Sequence, residues 1–341
     1  MAFLFHMEVF FSIVVPVYNR PEEVRELLQS LAQQDFERDF EVVIVEDGSW
    51  ESSEAIVQNF QEQLQISYYF KENSGPGDSR NFGMQKAKGN YFLILDSDCI
   101  LPKQYLSEVD KELKANFVHC FGGPDAADPS FTKVQKAINY VMTSFFTTGG
   151  IRGGKKSVGK FQPRSFNMGI SKEAFEKAGG FGRIHPGEDP DLTFRIWKAG
   201  FESRLFLNAF VYHKRRIDWN KFYIQVNKFG MVRPILNKWH HGTSRITYWF
   251  PTLFMFGLMS ALLLSLFGIV FPIALYAFYF LILFLDALHK EGNIKIAFWA
   301  LCAAIIQFTG YGIGFFKSTM LLNFSNKDPE ELFPKLFFKK K

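Results

Sequence analysis

From Tyr248 to Val270 the chain runs for 23 residues without a charged side chain. At roughly 1.5 Å of helix per residue, such a run is long enough to cross the hydrocarbon core of a bilayer. Phe271-Pro272 interrupts it, and Ile273 to Leu285 then continues uncharged as far as Asp286. That second segment reaches membrane length only by borrowing Ala287 and Leu288. A third uncharged run covers Ile296 to Phe316, with Gly310, Gly312 and Gly314 near its end. Three full spans would put the basic tail, 318–341 and ending in Lys339-Lys340-Lys341, on the far side from the rest of the chain, against the positive-inside rule. A re-entrant or interfacial second or third segment removes the conflict, and hydropathy does not choose between them.

The residues before this block fit the same picture. Lys214 to Arg245 holds eight Lys and Arg against one acid, Asp218, with Trp219, Phe222, Tyr223, Phe229 and Trp239 interleaved. A basic aromatic segment over 214–247, abutting apolar helices over 248–317, is expected to lie on an anionic membrane face. Its place against the membrane block, and a net charge of only +5, argue against nucleic acid as a partner.

Residues 1–213 read differently. Phe10 to Val15, Glu41 to Val45, Gln65 to Phe70 and Tyr91 to Leu95 are short apolar runs without alternation. Helical patterns lie between them at Glu22–Gln33, around Ala55, Ile56 and Phe60, and at Ser79–Ala87. Non-alternating strands separated by helices predict an α/β domain with a mostly parallel sheet covered on both faces. Ligands in such sheets bind beyond the carboxyl ends of the strands. Two acidic clusters fall there, Glu46-Asp47 and Asp96-Ser97-Asp98. A Gly-rich stretch, Gly149 to Lys160 with Arg152, Lys155, Lys156 and Lys160, reads as a mobile basic loop, able to close over an anionic ligand or equally to stay merely flexible and solvated. The first eleven residues carry Glu8 and lack a basic start and a small-residue cleavage site, so they do not read as a signal peptide, and this domain is expected in the cytosol. The three cysteines, Cys99, Cys120 and Cys302, form no CxxC pair. They suggest neither a disulfide framework nor a zinc site.

Asp96 and Asp98 stand two residues apart where an apolar strand breaks, so both carboxylates can enter one cleft. Hard oxygen ligands of this kind suit Mg²⁺ or Mn²⁺, which leave positions open for substrate phosphates. Such a cation neutralises the charge that develops on a diphosphate leaving group. Taken alone, the cluster reads equally as a solvated turn capping the next helix.

Its neighbours sharpen it. Ser12-Ile-Val-Val-Pro16-Val-Tyr18-Asn19-Arg20, Val45-Glu46-Asp47-Gly48-Ser49, Asn73-Ser-Gly75-Pro76-Gly77-Asp78-Ser79-Arg80-Asn81 and Leu95-Asp96-Ser97-Asp98 occur in that order. Phe166-Asn167-Met168-Gly169, Gly179-Gly180-Phe181 and Gly187-Glu188-Asp189-Pro-Asp-Leu-Thr-Phe-Arg195 follow. Over residues 10 to 215 the ordered set resembles the family 2 inverting glycosyltransferases, which implies the GT-A fold. The resemblance implies that Pro16 and Tyr18 line the base pocket, with Tyr18 stacking on a uracil-like ring, while a strand-end aromatic on the core is the plain alternative. It implies that Asp47 bonds the base or ribose, although Asp47 equally suits capping the helix that begins near Glu51. Arg80 would face the base or diphosphate, and a solvated surface arginine is the plain alternative. Asp96 would touch ribose and metal, and Asp98 the metal directly.

Asp189 is the candidate catalytic base, since an inverting transfer needs one carboxylate on the acceptor side to take the hydroxyl proton. Glu188, about 100° away on the same helix, is expected to point elsewhere, and Asp191 is the expected cap. His185 and His213 have no second histidine at ligand spacing and read as packing groups, and His240-His241 as a polar membrane interface. Processive members of the family carry Gln-x-x-Arg-Trp before the pore. Gln225-Val-Asn-Lys228-Phe229 keeps only the Gln, which favours transfer of a single sugar.

The resemblance thus implies a nucleotide-sugar donor, UDP-linked by expectation, a lipid-linked or saccharide acceptor, and Mn²⁺ or Mg²⁺. The site of action would be the cytosolic face of the inner membrane, in polysaccharide or glycolipid synthesis. A polyprenyl-phosphate glycosyltransferase and a non-catalytic nucleotide-sugar-binding scaffold are the alternatives.

Overall fold

The apolar runs are strands in a computed structural model of the chain, which describes residues 8–126, 131–149, 160–213 and 218–338. They form β1 (Phe11–Val17), β2 (Glu41–Asp47), β3 (Gln65–Lys71) and β4 (Tyr91–Leu95), linked by α1 (Pro21–Ala32), α2 (Glu54–Gln58) and α3 (Pro76–Lys86). Next come β5 (Cys99–Ile100), α4 (Tyr105–Ala115), β6 (Cys120–Gly122), β7 (Asp125–Ala126), α5 (Lys133–Thr143) and α6 (Phe145–Thr148). The globular part closes with β8 (Asn167–Ser171), α7 (Lys172–Ala178), α8 (Glu188–Lys198), β9 (Ser203–Leu205) and β10 (Val211–His213).

Seven strands form one sheet in the order β3-β2-β1-β4-β8-β6-β9. β3, β2, β1 and β4 run parallel, and β8 is antiparallel to both its neighbours. Each face is buried: Ile13, Val15, Val42 and Ile44 belong to a core shared with α1, α2 and α4, while Val14, Val43 and Val45 belong to one shared with α3, α7 and α8. This is why the strands read as continuous apolar runs. Pro16 lies inside β1 rather than closing it. It is tolerated because the ladder to β4 has already ended at Val14. A small second sheet, β5-β10-β7, pairs His213 with Cys99.

The carboxyl-terminal third is helical, with α9 (Trp219–Trp239), α10 (Phe250–Ser265), α11 (Phe271–Glu291) and α12 (Ile294–Phe324). Three of its helical segments, 246–265, 271–291 and 294–324, are long and apolar enough to cross a membrane. They are not equivalent. α12 runs beside α9 for the length of the latter: Trp219 meets Trp299 at one end, and Leu236 shares a cluster with Leu322 at the other. Glycines make the approach possible, since a Cβ on Gly230, Gly310 or Gly314 would strike the facing helix. α10 and α11 instead form a hairpin whose outer part, including Leu266, Phe267, Phe271 and Phe278, is exposed and apolar.

After α12 the chain returns to the α/β domain. Ile184 pairs with Phe337, His185 N donates to Leu336 O at 2.7 Å, and Phe338 N donates to Arg183 O at 3.1 Å. The tail up to Phe338 therefore lies on the same side as α8.

Candidate functional site

Asp96 and Asp98 follow β4 on the floor of a cleft at the carboxyl ends of β1, β2 and β4. Asp96 Oδ1 accepts from Arg80 Nη2 at 2.7 Å. Asp98 is held twice, by Arg20 Nη1 at 2.7 Å and by His213 Nε2 at 3.0 Å. Burial works to raise the Asp98 pKa, but His213 and Arg20 outweigh it and hold the carboxyl at about 2, so it is ionised. Neither Arg20 nor His213 was expected here. His213 reads as packing in the sequence, and it does stack on Phe166 with ring centroids 5.0 Å apart, but its other edge meets Asp98. The pairing of β10 with β5 brings them together, a juxtaposition with no trace in local spacing.

Ligand atoms of Asp98, Cys99 and His213 all lie within 4.8 Å of one another. Carboxylate oxygen and imidazole nitrogen suit Mn²⁺ or Mg²⁺ among the common cations. Burial pushes the Cys99 thiol well above its usual range. His213 Nδ1 is buried without a partner. The donor set fits a hard or borderline divalent cation held by Asp98 and His213, with Asp96 alongside.

Above the cleft, Tyr18 is 45% exposed and packs edge-on against Trp50 with ring centroids 5.6 Å apart; Trp50 is 77% exposed. Two open aromatics at the ends of β1 and β2, their planes 81° apart, form a corner in which a flat ring can stack on one and abut the other. Trp50 lies outside any sequence pattern. Asn19 locks the two loops together, its Oδ1 accepting from Trp50 N at 2.8 Å while its backbone N–H donates to Ser49 Oγ at 2.7 Å. Asp47 neither caps α2 nor faces open solvent. Its carboxylate accepts from Ser74 N at 3.0 Å, Gly75 N at 2.9 Å and Lys71 Nζ at 2.8 Å, fixing the loop that opens α3. Pro16 is half-buried just before this corner.

Arg80 is buried rather than solvated, its ring of contacts spanning the cleft from Asp96 to Glu188 at 3.4 Å, with Phe181 beneath. On the far side, Gly187 caps α8 with φ +119, where a Cβ would run into Val232. Glu188 turns to His185 Nδ1 at 2.8 Å; burial works to raise its pKa, but His185 and Arg80 bring it down to about 2. Asp189 is different. Its Oδ1 is shut from solvent with no hydrogen-bond partner, although Ser165 supports the carboxylate. Burial, and next the charge of Glu188, raise its pKa, against the pull of Arg80 and Arg164. A buried carboxylate with a raised pKa and one unbonded oxygen is suited to accept a proton. Asp191 is no cap: it binds Arg195 at 2.7 Å and His240 Nε2 at 2.9 Å, which moves His240 from the expected membrane interface into a hydrogen bond with a buried carboxylate. On the Gly-rich loop, Arg152, Lys155 and Lys156 lie outside the described residues; Lys160 stands 5.8 Å over the Trp197 ring.

The mostly parallel sheet, with acidic residues at its strand ends and a carboxylate opposite, has the architecture of the GT-A fold. Residues 12–179 match the Glycosyl transferase family 2 model, and the chain carries a domain of that family. Among similar curated proteins is the poly(ribitol-phosphate) beta-N-acetylglucosaminyltransferase TarS of Staphylococcus aureus, 39% identical over 29% of this chain and 18% of that one. Another is the GalNAc(5)-diNAcBac-PP-undecaprenol beta-1,3-glucosyltransferase of Campylobacter jejuni, 31% identical over 33% of this chain and 37% of that one. An uncharacterized glycosyltransferase of Haemophilus influenzae is 31% identical over 54% of this chain and 61% of its own length. The chain thus spans less than two thirds of each of these relatives. The GT-A fold is shared with a mannosyltransferase from Pyrobaculum calidifontis solved with GDP-Man and Mn²⁺, at TM-score 0.56 and 17% identity over 89% of this chain and 88% of that one. It is shared also with S. aureus TarS 1–349, at TM-score 0.52 and 18% identity over 91% of each.

Proposed function

We propose that this chain is an inverting, metal-dependent glycosyltransferase that moves one sugar from a nucleotide-sugar, UDP-linked, to a lipid-linked acceptor at a membrane face. The observation that carries the reading is the opposition across Arg80 of Asp96 and Asp98 on one side and Asp189, with its buried, unbonded Oδ1, on the other.

Tyr18, Trp50 and Pro16 receive the base, and Asp47 shapes the loop beside it. Asp98 and His213, with Asp96, would hold Mn²⁺ or Mg²⁺, which when bound neutralises charge on the diphosphate. Asp189 takes the proton from the acceptor hydroxyl as its oxygen bonds to the anomeric carbon. The bond from that carbon to the diphosphate breaks in the same displacement, so configuration inverts and no second carboxylate is needed. The buried setting keeps Asp189 basic while excluding water as a competing acceptor.

The α10–α11 hairpin enters the bilayer, and α12 lies along α9 at its surface. Two features support this: the return of the tail to Ile184, which requires an even number of crossings, and the concentration of exposed apolar side chains at the hairpin tip. The catalytic part then faces the cytosol, where the basic residues of 214–247 meet anionic lipid. The Campylobacter relative, whose name specifies an undecaprenol-linked acceptor, supports lipid linkage. Release of UDP by detergent-extracted protein with Mn²⁺ and a lipid-linked saccharide tests the reading. Turnover that persists unchanged in Asp98→Ala removes it.

A further inference from the structure

α9 carries buried polar groups that the transfer above does not use. Gln225 Oε1, Arg233 Nη1 and Asn237 Oδ1, spread over about a third of the helix circumference, are buried without hydrogen-bond partners. Val232 packs against Gly187, so Arg233 enters beside the start of α8, where Glu188 and Asp189 begin. Arg164 lies in the same place, within electrostatic reach of Asp189, Arg233, Glu188 and Tyr248 together. Burial is the largest influence on Arg164 and lowers its pKa; Asp189 opposes this and Arg233 reinforces it. Arg164 therefore lies within electrostatic reach of both Arg233 and the proposed base.

An unpartnered buried guanidinium nitrogen is costly, and two neighbouring guanidiniums repel. A phosphate relieves both at once, because its oxygens match the planar fork of arginine. A neutral saccharide relieves neither. The donor diphosphate belongs to the opposite side of Arg80, whose charge Asp96 and Glu188 already meet. The surroundings indicate where the phosphate comes from. Arg233 stands 4.6 Å over the ring of Tyr248, just before α10, and it also bonds Tyr311 of α12. The cluster thus lies at the root of the apolar hairpin, where a lipid headgroup arrives.

We infer that Arg164 and Arg233 form a phosphate-binding subsite that grips the headgroup phosphate of the acceptor lipid and presents its sugar hydroxyl to Asp189. Gln225 and Asn237 extend the subsite along α9. This rests on the glycosyltransferase reading and names the acceptor's chemical class.

The test uses the full chain in neutral detergent micelles, with dodecyl phosphate, dodecanol and inorganic phosphate as probes, titrated by calorimetry. UDP with Mn²⁺ is titrated in parallel. Dodecyl phosphate is expected to bind at least about tenfold more tightly than dodecanol, since a hydrogen bond to a charged group is worth that factor or more. Arg233→Gln should lose about tenfold or more of that affinity while still binding UDP, and Arg233→Lys should recover part of it. Equal binding of the alcohol, or an unchanged Arg233→Gln, overturns the subsite. Inorganic phosphate binding as tightly as dodecyl phosphate overturns the assignment to a lipid. Should Arg164→Gln fail to fold, the Arg233 pair of variants still decides. Failure of the wild type to bind UDP defeats the transferase reading separately, whatever the lipid phosphate does.

Discussion

Arg80 Nη2 lies 2.7 Å from Asp96 Oδ1, joining the end of β4 to the start of α8, because the other amino group of the same guanidinium reaches Glu188 at 3.4 Å. Removing it strands a buried carboxylate on one side and a half-open one on the other. Arg80→Ala is expected to cost about 3 kcal/mol of stability, the lower end for a broken buried pair because Asp96 is partly solvated. It should also lower kcat/KM steeply. Arg80→Lys restores the charge but not the planar fork, so it recovers little activity. Thermal melts beside kinetics separate the two effects.

Asp189→Asn isolates the base. Turnover should fall about 10² to 10⁴-fold, the range for loss of a general base. Stability should move the other way. The folded-state pKa of Asp189 is raised, so its contribution to folding is present below the unfolded carboxylate pKa and is lost as pH rises through the folded value. At neutral pH the ionised group is a net cost, and the uncharged isostere should melt at the same temperature or higher. For the same reason the acid limb of kcat/KM in the wild type should lie above the usual carboxylate range. If the acceptor phosphate itself attacked, Asp189→Asn would be mild.

His213→Ala should raise the Mn²⁺ concentration needed for half-maximal turnover by more than about tenfold, the scale on which even supporting contacts of a metal site act. Asp98→Ala should abolish the response to metal altogether. A metal titration of the two variants, with the donor saturating, measures this.

Trp50→Ala should weaken nucleotide binding by about 1–3 kcal/mol, the worth of stacking a base on an aromatic ring, without shifting the melting temperature, since Trp50 is exposed. Calorimetric titration with UDP checks it. Unchanged affinity would move the base away from the Tyr18–Trp50 corner.

In sealed inside-out vesicles, a cysteine at Phe267, on the hairpin tip, should resist a membrane-impermeant maleimide. One at Ser325, after α12, should react like one placed on the α/β domain. Labelling of the Ser325 position only in vesicles of the opposite orientation would restore an odd number of crossings.

The α/β core was legible because burial on both faces leaves continuous apolar runs such as Val42–Val45, and strand-end carboxylates follow from where those runs stop. What escaped notice depends on contacts between distant segments. His213 meets Asp98 only through the pairing of β10 with β5, and Asp191 takes His240 as partner only because α8 packs on α9. Asp191 looked like a cap because Asp favours helix starts, but the positive φ of Gly187 makes that residue the cap. Hydropathy marked Ile296 to Phe316 within α12 but neither its full extent to Phe324 nor its neighbour, since glycines that fit a membrane helix also fit close packing on α9. Trp50 is an isolated exposed aromatic, and no periodicity marks it.

The most direct test of the central claim is the anomeric configuration of the product. After a screen of nucleotide-sugars with Mn²⁺ and a lipid-linked saccharide, the linkage formed by the best donor is read by NMR. An α-linked donor should give a β-linked product, with UDP released in equal amount and with Asp189→Asn suppressing both. A product that retains the donor's configuration, or one formed as fast by Asp189→Asn, would contradict the account.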